Sequence, residues 1–219
     1  ATGSDNEKAF LKAQGLTFRA YSYMMLVQLY GDRWADSNNG ATPAVVLRVN
    51  EGIEDLPLSS LADAYKLIYD DLDQAVQLYT SSGLNRASGR NYEANLDVAY
   101  AIYARAALNK EDYVNAEKYA KLARANYPLM SNAEYKSGFS NPNKEWIWSV
   151  FDSEQETIHF YSYQAYIAYN STASAVRTAP KMISKELYDQ IPATDIRKDM
   201  FLNPAAAGTD HRHHRRDLP

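Results

Sequence analysis

Cysteine is absent from the 219 residues, which excludes disulfides, thiolate metal sites and a cysteine nucleophile. No apolar run approaches the ~18 residues that a membrane-spanning helix requires. Positive charge is also short. Lys and Arg number 23 against 27 Asp and Glu, a formal net charge of −4 and a pI near 5.6. Phosphate binding needs a basic face, so nucleic acid is not an expected partner. The one basic run, His211-Arg212-His213-His214-Arg215-Arg216, stands at the very end. Neither a signal peptide nor an initiator methionine opens the chain, which predicts a processed or truncated start. Catalytic signatures are missing too: there is no Gly-x-Ser-x-Gly, His-Glu-x-x-His, phosphate-binding glycine loop or EF-hand spacing. Phenylalanine is scarce, with six against eighteen tyrosines. The bias favours rings that pack on one side and hydrogen-bond on the other.

What is present is helical periodicity, clearest between Asn95 and Pro128. Leu96, Ala99, Tyr100, Tyr103, Ala104, Ala107 and Leu108 recur at steps of three and four, one face of an α-helix. A turn follows at Asn109-Lys110-Glu111. Asp112 then caps a second helix with Tyr113, Ala116, Tyr119, Ala120, Ala123 and Tyr127 inward, and Pro128 ends it. On the roughly 34-residue tetratricopeptide (TPR) pattern, Tyr100, Ala104, Ala116, Ala123 and Pro128 fall in register. Small residues at Ala116 and Ala120 predict close helix approach, with enlargement costing about 1–3 kcal/mol. A lone helical hairpin cannot bury its own face, so neighbours are required.

Upstream, a helix is expected from about Glu7 to Tyr30, with Phe10, Leu11, Gln14, Phe18, Tyr21, Met25 and Leu29 on its apolar stripe, widened by Met24 and Val27, and Gly31 as C-cap. Asp32 to Leu58 forms a long loop with a turn at Asn38-Asn39-Gly40 and an extended piece at Ala44-Val45-Val46-Leu47. Ser59 or Ser60 caps the next helix, which reaches about Tyr79 with Leu61, Ala64, Tyr65, Ile68, Leu72, Ala75, Val76 and Tyr79 inward. Beyond Pro128 the pattern becomes irregular. Asn143 to Val150 alternates like a strand, and Pro180 to Tyr188 reads as a short helix.

Several of these stretches resemble one family. Phe18-Arg19-Ala20-Tyr21-Ser22-Tyr23 with Leu26-Val27-Gln28-Leu29-Tyr30-Gly31-Asp32 is similar to the "RAyxyxxLvxlYGD" helix of SusD/RagB-type proteins. Tyr65, Ile68, Asp70-Asp71-Leu72 and Ala75 resemble its "YxxIxxDLxxA" segment. Gly89-Arg90, the Asn143–Val150 "NxEvIwsv" element and Asp195-Ile196-Arg197 follow in the family's order. The resemblance implies a mostly α-helical fold, TPR-type hairpins in a superhelix with an irregular appended region and a short strand. Residues 1–130 would form the helical region with its long loop at 32–58. Residues 131–219 would form a ligand-side region with a short strand near 145–150 and a short helix near 180–190. It also implies a lipid-anchored protein of the outer membrane surface in Bacteroidetes that binds glycan, or in some branches oligopeptide. No cofactor is implied, and delivery would be to a SusC-type TonB-dependent transporter. Family members are considerably longer, with a lipidated cysteine upstream and a further C-terminal half.

A sugar ring offers an apolar face and a rim of hydroxyls, so its site needs an aromatic platform flanked by polar side chains. Two stretches provide that mixture. Trp34 lies with Asn38 and Asn39 in the long loop, beside Asp32, Arg33 and Asp36. Tyr161, Tyr163, Tyr166 and Tyr169 interleave with Asn170 and lead to Arg177, and the resemblance favours this second stretch. The alternative is that these tyrosines clamp an irregular segment onto the helices. Asp70, Asp71 and Asp73 point round a helix and read as a solvated face rather than an acid/base pair. His211, His213 and His214 lack an accompanying carboxylate and read as a basic tail rather than a metal site. A helical glycoside hydrolase would require two carboxylates about 5–10 Å apart, and no pair recommends itself. A TPR scaffold for protein assembly is the remaining reading.

Overall fold

The computed structural model describes residues 2–137, 139, 142–150, 166–167, 183–201 and 203. The chain divides into two compact units, Ala1–Met130 with Ser140–Val150, and Ser131–Phe139 with Phe151–Pro219.

In the first unit Ser4 opens α1 (Asp5–Tyr30) with a capping box: its hydroxyl accepts from the Glu7 amide at 3.3 Å, and the Glu7 carboxylate accepts from the Ser4 amide at 2.7 Å. The Ser4 amide, and then the Ser4 hydroxyl, donate to the Glu7 carboxylate and hold it below its ordinary range. Ser60 caps α2 (Leu61–Ser82), which stops at the left-handed Gly83. Asn95 caps α3 (Leu96–Asn109), and Asp112 caps α4 (Tyr113–Arg124). Packing runs from neighbour to neighbour, α1 on α2, α2 on α3 and α3 on α4, with α1 also touching α3. That is the nearest-neighbour arrangement of a helical repeat array. Its centre is Met24, Leu61, Ile68, Leu72 and Val98, all essentially without solvent contact.

The α2 face follows the expected pattern, but the seam of α1 is rotated. Ala13, Leu16, Thr17, Ala20, Tyr23, Met24 and Val27 are buried, while Leu11, Phe18 and Leu29 are exposed. The small residues decide this, because Ala13, Thr17 and Ala20 let α1 approach α2 more closely than a stripe of large side chains would. The α4 expectation is corrected likewise. Tyr119 and Ala123 are buried, but Tyr113 and Ala120 are exposed because no described helix covers that side. Leu108 of α3 is also exposed.

Asp71 is not part of a solvated face. It is buried, and Arg19 of α1 grips it with two hydrogen bonds of 2.6 and 2.7 Å. Asp73 accepts from the Tyr103 hydroxyl, and Asp70 pairs with Lys66 on the surface.

The strand expected near 145–150 is absent, and no strand is present among the described residues. Among the described residues one backbone hydrogen bond joins this segment to a neighbour, from the Ser149 amide to the Asn91 carbonyl. Side chains hold the rest. Arg86 donates to the Ile147 carbonyl, the Asn91 amide group to the Trp146 carbonyl, and the Trp148 indole to the Tyr92 carbonyl. Alternation alone cannot make a strand where no second strand offers a ladder.

In the second unit Ser131 caps a one-turn helix, Asn132–Lys136, by a capping box. Ser184 caps a helix at Lys185–Gln190, and Asp195 caps a 3-10 turn at Ile196–Met200. Lys136 reaches Asp199 at 2.5 Å. Arg197 folds back on Asp195 and, with its backbone amide, holds that carboxyl down to about 2.

Candidate ligand-binding site

The long loop between α1 and α2 is built around Trp34. A 3-10 turn, Trp34–Asp36, leads to Ser37, whose buried hydroxyl donates to the Trp34 carbonyl at 2.6 Å and accepts from the Gly40 amide at 2.8 Å. Asn38, Asn39 and Gly40 all take positive φ, at 50°, 57° and 82°. Asparagine and glycine are the residues that tolerate this conformation best. Glycine is required at 40 for a second reason. A β-carbon there would lie 2.8 Å from the Ala62 amide, the Ala62 β-carbon and the Trp34 ring.

The Trp34 ring is half-buried rather than freely exposed. Its neighbour Tyr65 meets it edge-to-face with centroids 5.6 Å apart. The Lys110 ammonium, from the α3–α4 turn, stands 5.1 Å from the Trp34 ring centre and 4.8 Å from that of Tyr69, a double cation–π contact. Asp112 accepts from the Tyr69 hydroxyl at 3.2 Å. Its own carboxyl is lowered chiefly by hydrogen bonding from Asn115, with further help from Tyr69 and Lys110. Around the ring lie exposed Asp32, Arg33, Asp36, Asn38 and Asn39, with Arg33 and Asp36 paired to each other. The arrangement offers an apolar ring beside amides and charges of both signs, the mixture that a half-polar ligand requires.

Behind it the tyrosines form an interior ladder. Tyr69 and Tyr103 lie 4.9 Å apart, Tyr103 and Tyr119 stack at 3.9 Å, and Tyr100 stacks on Tyr119 at 5.8 Å. Burial pushes the Tyr65 phenol up to about 12, and it raises Tyr69 and Tyr103 further, with Asp112 and Asp73 adding to the effect. The phenols of Tyr65, Tyr69 and Tyr103 are thereby held in their neutral form.

The second predicted stretch is represented by Tyr166 alone, which is half-buried. Tyr161, Tyr163, Tyr169, Asn170 and Arg177 lie outside the described residues, as do the four histidines. Among the described residues no three acidic or imidazole side chains converge on a metal-sized site. A shallow crevice of about 310 Å³ at the start of α1 is lined by Thr2, Gly3, Glu7, Phe10, Leu11 and Leu84, but its one charged group is already engaged by Ser4.

Two features escape sequence reasoning. Lys110 reaches Trp34 only because the α3–α4 turn comes beside the loop in space, and no local pattern announces that. Trp148 packs against Tyr21 at 5.1 Å and Phe18 at 5.8 Å, on the side of α1 that periodicity marks as apolar. That stripe is the available signal.

No family model matches the chain, and no curated protein sequence does. Solved structures do match. A SusD-like carbohydrate binding protein from Bacteroides vulgatus is 26% identical with a TM-score of 0.64, over 72% of this chain and 33% of that one. A SusD superfamily protein from Bacteroides thetaiotaomicron is 23% identical with a TM-score of 0.62, over 71% of this chain and 34% of that one. The chain thus spans about a third of the length of the solved proteins it matches. In its mostly helical, TPR-type fold, with the ordered motifs carried on α1 and α2, the chain is similar to these SusD-like proteins.

Proposed function

We propose that this protein captures oligosaccharide at the outer cell surface without cleaving it and hands it to a SusC-type TonB-dependent transporter. In that reading it is held at the outer membrane by a lipid anchor. The observation that carries the reading is the likeness, over 72% of the chain, to a protein described as SusD-like and carbohydrate binding. The Trp34 loop supports it with an aromatic ring among exposed Asn38, Asn39, Arg33 and Asp36. Tyr161, Tyr163, Tyr166, Tyr169, Asn170 and Arg177 complete the proposed ligand-binding set. Binding energy would come from stacking and hydrogen bonds on preformed loops, with affinity set by preorganisation rather than by buried area.

The test is a titration against a panel of soluble polysaccharides and mixed oligopeptides, following intrinsic fluorescence, with each mixture assayed for new reducing ends. Saturable binding to a glycan without product is expected. Trp34→Ala or Tyr166→Ala should weaken it by about tenfold or more while the far-ultraviolet spectrum is retained. Product formation would replace capture with hydrolysis. Binding to peptides alone would move the ligand to another chemical class.

A further inference from the structure

The second half of the long loop, residues 46–58, takes no part in the Trp34 site and is built in an unusual way. Its ends are pinned. The Ala44 amide donates to the Ser59 carbonyl, the Ser59 amide to the Val45 carbonyl and the Leu61 amide to the Thr42 carbonyl, each at 2.9 Å. The buried Tyr23 hydroxyl of α1 adds a double latch, accepting from the Arg48 amide at 2.8 Å and donating to the Arg48 carbonyl at 3.0 Å. Across the loop the Arg48 guanidinium donates to the Glu54 carbonyl and lies 3.5 Å from its carboxylate. Gly52 makes room for that carboxylate, which would lie 2.2 Å from a β-carbon at this position.

A loop organised by its own polar bonds ordinarily turns its apolar side chains inward. Here only Leu47 packs against the core. Val46, Val49, Ile53, Leu56 and Leu58 are all exposed, Ile53 completely and Leu58 by 60%. Single exposed aliphatics are common on protein surfaces, but five on one short pinned loop form the kind of cluster that marks an interaction site. Their exposure adds nothing to the stability of the chain itself. Around them Glu51 and Asp55 are exposed and have no ion-pair partner among the described residues. A second copy of this acidic chain would meet that rim with like charge, so self-association is disfavoured.

We propose that residues 46–58 form a preordered docking loop for a protein surface with an aliphatic pocket rimmed by Lys or Arg. Val49, Ile53 and Leu58 would enter the pocket, and Glu51 and Asp55 would meet the basic rim. Because the loop is already ordered, little conformational entropy is lost on docking. This assignment does not depend on the glycan reading, since it uses none of the Trp34 site.

Two fluorescein-labelled amphipathic peptides of equal length, one of leucine and lysine and one of leucine and glutamate, test it by anisotropy against the full chain. Saturable binding of the lysine peptide alone is expected. Ile53→Ser with Leu58→Ser should weaken it about tenfold or more, whereas Val114→Ser, at a site 80% exposed on α4, should leave it unchanged. Glu51→Gln with Asp55→Asn should lower affinity and flatten its salt dependence. Equal binding of both peptides, equal loss with Val114→Ser, or self-association in sedimentation that Ile53→Ser abolishes would each overturn the proposal. No binding of the lysine peptide would also overturn it.

Discussion

Arg19 and Asp71 make the sharpest residue-level statement in the structure, because their environments differ. The Asp71 side chain is 5% exposed and that of Arg19 is 35% exposed. Removing the arginine therefore strands a buried carboxylate, whereas removing the aspartate leaves a guanidinium that can turn toward water. Arg19→Ala should cost about 3–5 kcal/mol of unfolding free energy, and Asp71→Ala about 2 kcal/mol, a difference that urea denaturation would resolve. The buried phenols give a pH prediction. Tyr65 and Tyr79 are both pushed up to about 12 by burial, so each is neutral in the folded chain at a pH where it would ionise once unfolded. Their contribution to stability is complete below about pH 10 and is lost as pH rises toward 12. Tyrosinate absorbance from these two should appear together with loss of helical circular dichroism, not before it. Neither Arg19 nor Asp71 is legible as a buried pair in the sequence. Both sit in the stretches that resemble the SusD/RagB-type motifs, but the neighbouring Asp70 and Asp73 make a carboxylate run that looks solvated. Only the rotation of α1 against α2 separates Asp71 from the others.

Elements are more legible than their partners. Caps at Gly31, Ser60 and Asp112 are readable, because a cap is local chemistry between residues a few positions apart. The strand expected at Asn143 to Val150 does not form, because a strand depends on a second strand that alternation does not reveal. The Trp34 loop shows both sides of this division. Its Asn38-Asn39-Gly40 turn is visible in the sequence, while the cover of Lys110 over Trp34 is not. Within the α3–α4 turn Glu111 holds φ at 61°, a conformation unfavourable for a residue with a β-carbon. Glu111→Gly should therefore raise stability by about 0.5–1 kcal/mol in thermal unfolding. On α4, Ala120→Leu should change stability by less than about 0.5 kcal/mol because the position is exposed. Ala123→Leu, at 3% exposure, should cost about 1–3 kcal/mol, which places the tight packing one turn later than periodicity suggests.

For the whole molecule, stability should fall off along the array. α1 and α2 share the most extensive interface, and α4 buries only Tyr119 and Ala123. In a chain of nearest-neighbour contacts the end with least burial opens first. Amide hydrogen exchange should therefore show α4 opening at lower free energy than α1 and α2, and the opposite order would contradict the packing described. Tethering by Arg86, Asn91 and the Trp148 indole also matters for how such a chain can vary. A strand in a sheet is locked to its neighbour by register, so one inserted residue reverses every side chain after it. The Trp146–Ser149 segment is moored at a few separate points instead. The stretch between Pro128 and Asn143 can consequently lengthen or shorten over evolutionary time while Trp148 keeps its place against Phe18 and Tyr21.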